Sequence, residues 1–268
     1  MGWTRCIMMR VTIMPSTITH LFQRIERHPS GPVRWGEAVP ERHGGVYVVS
    51  LTADPDRLAG ASMPVAPIDM AAVDSWLACA GSLSLEGERP TAEVLGERLS
   101  RFWLPDEVVL YIGKAGASLR QRIHDYYRTP LGKPRPHAGG CWLKVLDNLP
   151  ALWVFWAASE RREHDENVLL GEFVTNTSPV ARLSLADPDH PFPFANLEYP
   201  KGHRKRHGIQ HQHRRGVCEA EWVRPRLSPR MDIESATPCR CTRCHAPACG
   251  EGPHTSPVGE QDHHSGDP

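Results

Sequence analysis

The chain reads as an α+β fold, a small three-stranded, mostly antiparallel sheet flanked by helices. Two observations predict it. Three apolar runs rich in β-branched and aromatic residues, "HGGVYVVSL" (43–51), "EVVLYIG" (107–113) and "ALWVFWAA" (151–158), have the length of strands. The helical segments between and after them do not alternate with the strands regularly enough for a doubly wound parallel sheet. With 268 residues, 40% of them hydrophobic, the chain can bury a sizeable core.

Residues 1–42 form an N-terminal extension with one helix at 19–27, where Leu21, Phe22 and Ile25 recur at helical spacing. Its start, "MGWTRCIMMRVTIM", carries Arg10 and lacks a small-residue cleavage site, so it is not read as a signal peptide. No apolar run approaches the roughly 18–20 residues that a membrane span needs. Cys6, Cys79, Cys141 and Cys218 are scattered singly, which suits a reducing compartment. A cytoplasmic protein with no membrane partner is expected.

The domain proper is expected over 43–210. Its first strand is followed by a helical insertion at about 52–104. There Ile68, Ala72, Trp76 and Leu77 mark one helix, and Val94, Leu95, Leu99 and Phe102 a second, with Thr91 as its N-cap. Strand 107–113 is nearly continuous in apolar residues, so both of its faces should be buried. A helix at 118–128 begins at Ser118 and aligns Leu119, Ile123, Tyr126 and Tyr127. A short helix at 141–148, the third strand and a long helix at 159–174 complete the fold. Residues 211–268 are rich in Pro, His, Ser, Gly and Arg, without hydrophobic periodicity, and read as a disordered tail.

Net charge is zero, yet Lys201, Arg204, Lys205, Arg206, Arg214, Arg215, Arg224, Arg226 and Arg230 face only Glu219 and Glu221 over residues 200–230. Such a block suits a polyanion or a solvated extension. In the tail, Cys239, Cys241, Cys244 and Cys249 lie close together beside His245 and could take Zn²⁺. No second knuckle and no apolar surround accompany them, so adventitious cysteines are the preferred reading.

"GVY" (45–47) followed by "YIG" (111–113) resembles the paired strand motifs of the GIY-YIG nuclease superfamily. The order of the later segments is similar too: "YIGKA", "SLRQRI" opening a helix, a third strand, a helix with a central Glu, then an Asn in "FANLE". The resemblance covers roughly 44–51 and 105–200. It implies a metal-dependent endonuclease that hydrolyses phosphodiester bonds in nucleic acid, DNA ahead of RNA, with one Mg²⁺ or Mn²⁺ ion. The catalytic set it implies is Tyr47 as general base, Tyr111, Arg122, Tyr126, Glu172 as metal ligand, and Asn196. Lys114, Arg120, Lys201, Arg204, Lys205 and Arg206 would contact nucleic acid. One extra residue between the "YIG" glycine and Leu119 leaves the site arginine open between Arg122 and Arg120. The 48–110 interval replaces the short hairpin usual in the family.

The chemistry is consistent with those residue types. A guanidinium can hold a phosphate by two parallel hydrogen bonds. A single carboxylate suffices for Mg²⁺, which keeps most of its waters. A catalytically inactive nucleic-acid or protein binding module on the same fold is the alternative.

Overall fold

The computed structural model describes residues 15–57, 63–133, 140–199 and 202–211. In chain order the elements are α1 (Ile18–Gln23), β1 (Ser30–Arg34), β2 (Gly45–Ser50), α2 (Met70–Cys79), β3 (Leu83–Leu85), α3 (Ala92–Ser100) and β4 (Val109–Ala115). Next come α4 (Leu119–Arg128), α5 (Gly140–Lys144), β5 (Trp153–Ala158), α6 (Arg162–Asn176), α7 (Pro179–Ser184) and β6 (Ile209–His211). The α+β class holds, but the main sheet has four strands rather than three, in the order β1-β5-β2-β4, with every pairing antiparallel. The additional strand is β1, "SGPVR", an edge strand in which Pro32 is tolerated because only one neighbour must be paired. β3 and β6 form a separate antiparallel pair.

The sheet divides two hydrophobic layers, as the alternation of side chains along β2 requires. Val46 and Val48 face a layer built from Ile18, Leu21 and Phe22 of α1 and Leu169, Leu170 and Phe173 of α6. Tyr47 and Val49 face the other layer, with Leu119, Ile123 and Tyr126 of α4, Trp76 of α2, Leu95 and Leu99 of α3, and Trp142 of α5. The 52–104 insertion is therefore not a detached lobe, since its helices share one core with the sheet. Residues 18–34, expected within an extension, supply a core helix and a strand.

Local signals fix the helix starts. The hydroxyl of Thr91 accepts from the Val94 amide and that of Ser118 from the Gln121 amide, as expected of N-caps. Within α3, Val94 turns outward, leaving Ala92, Leu95, Gly96 and Leu99 as the buried stripe. The C-terminal end of α4 is held by Lys144, whose buried ammonium donates to the carbonyls of Tyr127 and Thr129. Cys79 is disulfide-bonded; among the described residues Cys141 is the free thiol, and it is buried. No helix among them is long and apolar enough to cross a membrane.

Candidate active site

β2 and β4 run side by side with Tyr47 directly opposite Gly113. Tyr111, two residues before Gly113, projects from the same face, so the two phenols meet above the glycine. Their ring centroids are 5.7 Å apart. A Cβ on Gly113 would stand 2.6 Å from Tyr111 Cε1 and 2.9 Å from Tyr47 Cζ. The glycine of "YIG" is thus a packing requirement for the tyrosine pair. From α4, Tyr126 sets its ring edge-on to Tyr111, with centroids 5.4 Å apart.

The charge of Arg122 bears on all three phenols, favouring their ionised forms. Burial is the larger influence and pushes each phenol above its ordinary pKa. The Tyr47 hydroxyl is sealed from solvent and finds only a loose interaction with that of Tyr111. Burial thus favours the neutral Tyr47 phenol, the form in which its O–H donates. Tyr111 is the half-buried member of the pair. Helical phase separates the two arginines. Arg122 is half-buried beside the tyrosines, three residues after Leu119 and four before Tyr126, whereas Arg120 is exposed.

Two glutamates of α6, Glu172 and Glu166, have different partners. Glu172 accepts from Arg24 Nε at 3.0 Å and from Asn176 Nδ2 at 2.8 Å, with His20 Nε2 3.5 Å away. It fastens α6 to α1 and does not join the tyrosines. Glu166, six residues earlier on α6, lies 2.8 Å from Lys114 Nζ, and its charge raises the Tyr111 pKa. Glu163 stands 3.8 Å from the same ammonium. Both Glu166 and Glu172 fit the spacing rule that places a carboxylate on the core's rim: Glu166 precedes Leu169 and Leu170 by three and four residues. The signal was present for both, and only tertiary pairing chooses between them.

Asn196 is buried and acts as a clamp. Its Oδ1 accepts from the Ile112 amide at 2.9 Å and its Nδ2 donates to the Ile112 carbonyl at 2.8 Å. With Ala195 N donating to Leu110 O, the loop completes the hydrogen bonds of the β4 edge. Asn196 thus braces the strand that carries Tyr111.

The basic run after the loop is also redirected. Lys205 is buried, donating to the carbonyls of Pro193 (2.7 Å) and Phe194 (2.8 Å) with its ammonium 5.3 Å from the Trp142 ring centroid. It cannot contact nucleic acid in this fold. Arg206 forms two hydrogen bonds to Asp187 Oδ1, at 3.1 and 2.7 Å, and also binds Asp189. Arg204 is exposed and paired with Glu198. Lys201 and the four tail cysteines lie outside the described residues.

No group of three His, Cys, Asp or Glu that could hold a metal gathers among the described residues. Glu166 and Glu163, one turn apart on α6, both approach the Lys114 ammonium. No protein-family model, curated protein or solved structure matches the chain.

Proposed function

We propose that the protein is a metal-dependent nuclease of GIY-YIG-like fold, hydrolysing phosphodiester bonds in nucleic acid, with DNA as the first substrate to test. The observation that carries this reading is the gathering of Tyr111, Arg122, Lys114 and Glu166 along one edge of the sheet. Water adds to phosphorus as the phosphorus–oxygen ester bond breaks, so charge builds on the phosphoryl oxygens and must be balanced. Arg122 and Lys114 supply positive charge there, and the neutral Tyr111 hydroxyl supplies a donor. Glu166 and Glu163 would hold Mg²⁺ or Mn²⁺, which adds Lewis-acid stabilisation of the same oxygens when bound. Tyr47, Tyr126 and Asn196 act through Tyr111 and β4, by packing and by the edge clamp.

The complete burial of Tyr47 and Tyr126 favours one competing reading, a catalytically inactive binding module in which the aromatic cluster is simply core. Plasmid relaxation separates the two. Nicking with Mg²⁺ or Mn²⁺ that stops on adding EDTA is the expected result. Absence of nicking with either metal supports the inactive module, and nicking indifferent to EDTA removes the metal-dependent mechanism.

A further inference from the structure

With Lys205 buried and Arg204 and Arg206 paired to acids, the described part of the basic run offers little free positive charge. Cations without an acidic partner lie elsewhere. An open groove of about 510 Å³ runs past the ends of β2 and β5, floored by Gly44 and Ala158. Its walls carry Arg27 from the turn after α1, His43 before β2, and Arg161 and Arg162 at the start of α6. Arg27 and Arg162 have no acidic partner among the described residues. Arg161 Nε stands 4.0 Å from the buried Asp165, and His43 Nδ1 is 2.7 Å from Glu41. Among the described residues, Glu160 is the one acid lining the groove.

Three features say what such a groove would accept. Its charge is positive and presented chiefly on guanidinium groups, whose planar fork matches phosphate oxygens. It is open, unlike the concave sites that enclose most of a small ligand. Its lining also adjoins, along the chain, strands and helices that carry candidate-site residues. Gly44 lies three residues before Tyr47, about 10 Å along a strand at roughly 3.3 Å per residue. Arg162 adjoins Glu163, whose carboxylate approaches Lys114. One strand of a duplex carries a phosphate per roughly 3.4 Å of axis, so a backbone in the groove reaches the site within about three phosphates.

We propose that this groove binds the sugar–phosphate backbone of the nucleic acid that the Tyr111–Arg122 site acts on. The inference rests on the nuclease reading for its choice of partner, but it can be tested without cleavage. The full chain is titrated in EDTA against fluorescein-labelled duplex DNA and, separately, duplex RNA, with anisotropy recorded over a series of salt concentrations. Arg27→Ala/Arg162→Ala should weaken binding about 10-fold and flatten the slope of log affinity against log salt by about 2, one phosphate contact per arginine. Arg204→Ala should stay within about twofold. Arg27→Lys/Arg162→Lys should regain most of the salt slope, showing that charge and not misfolding caused the loss.

Unchanged affinity and slope in the double alanine variant overturns the proposal, as does binding to anionic vesicles with none to either duplex. Failure of the two readings is distinguishable. A wild-type protein that binds through these arginines but never nicks plasmid loses the nuclease and keeps the groove. One that nicks with metal, and whose double variant binds and nicks unchanged, loses the groove and keeps the nuclease.

Discussion

Glu107→Gln is expected to stabilise the protein by about 3 kcal/mol near neutral pH and to flatten its pH dependence. Glu107 lies just before β4 and is 2% exposed, and neither carboxylate oxygen has a hydrogen-bond partner among the described residues. Burial, reinforced by the charge of Asp106, pushes its pKa up to about 9. The folded chain thus keeps a proton that the unfolded chain releases above its ordinary carboxylate pKa of 4.5. The stability from this group is fully present below 4.5 and is lost as pH rises toward about 9. At pH 7 the interval is roughly 2.5 units, hence the 3 kcal/mol at about 1.36 kcal/mol per unit. Burial pushes the Lys144 pKa down to about 8 and that of Lys205 well below its usual range, which acts with the opposite sign. The informative quantity is therefore the difference between variant and wild type in urea unfolding, near pH 5 and near pH 8. Gain at pH 8 with little at pH 5 is expected; parallel curves contradict the assignment.

Gly113→Ala should cost about 1–3 kcal/mol and reduce nicking at least about 10-fold. The added methyl meets aromatic ring atoms of Tyr47 and Tyr111, whose rings already pack on each other, with Tyr126 of α4 edge-on to Tyr111. One ring must move, and Tyr111 is the half-buried one. Gly81→Ala is the control, since a Cβ there meets nothing within 4 Å. Thermal unfolding of both variants, beside plasmid nicking at a temperature where both are folded, separates loss of stability from loss of alignment. Nicking by Gly113→Ala at the wild-type rate would remove the tyrosine pair from the mechanism.

The elements nearest the candidate site were the most legible in the sequence. β2 and β4 announced themselves through near-continuous apolar runs, and α4 through Ser118 and helical spacing, because their burial follows from local pattern. β1 did not. "SGPVR" has one aliphatic residue and becomes a strand only because β5 offers it an edge. The four residues of "FANL" looked like a turn with a site asparagine, yet the Asn196 amide completes a strand whose edge was invisible in the sequence. Lys205 sat in a basic run that suited a polyanion; its acceptors and aromatic neighbours, Pro193, Phe194 and Trp142, converge only in three dimensions. The preference for Arg122 over Arg120 was within reach of helical phase. The pairing of Glu166 with Lys114 and of Glu172 with Arg24 was not, since it depends on where those two cations lie.

That last distinction gives the most direct test of the central claim, that the carboxylate serving Tyr111 and Arg122 is Glu166. The measurement is the Mg²⁺-dependent nicking rate of Glu166→Gln beside Glu172→Gln, each first shown to be folded. Glu166→Gln should lose about 100-fold or more, as removal of a charge-stabilising group does. Glu172→Gln should stay within about threefold and show only the modest loss of stability expected from weakening the α1–α6 tie. Loss of nicking by Glu172→Gln, with Glu166→Gln unaffected, would contradict the account.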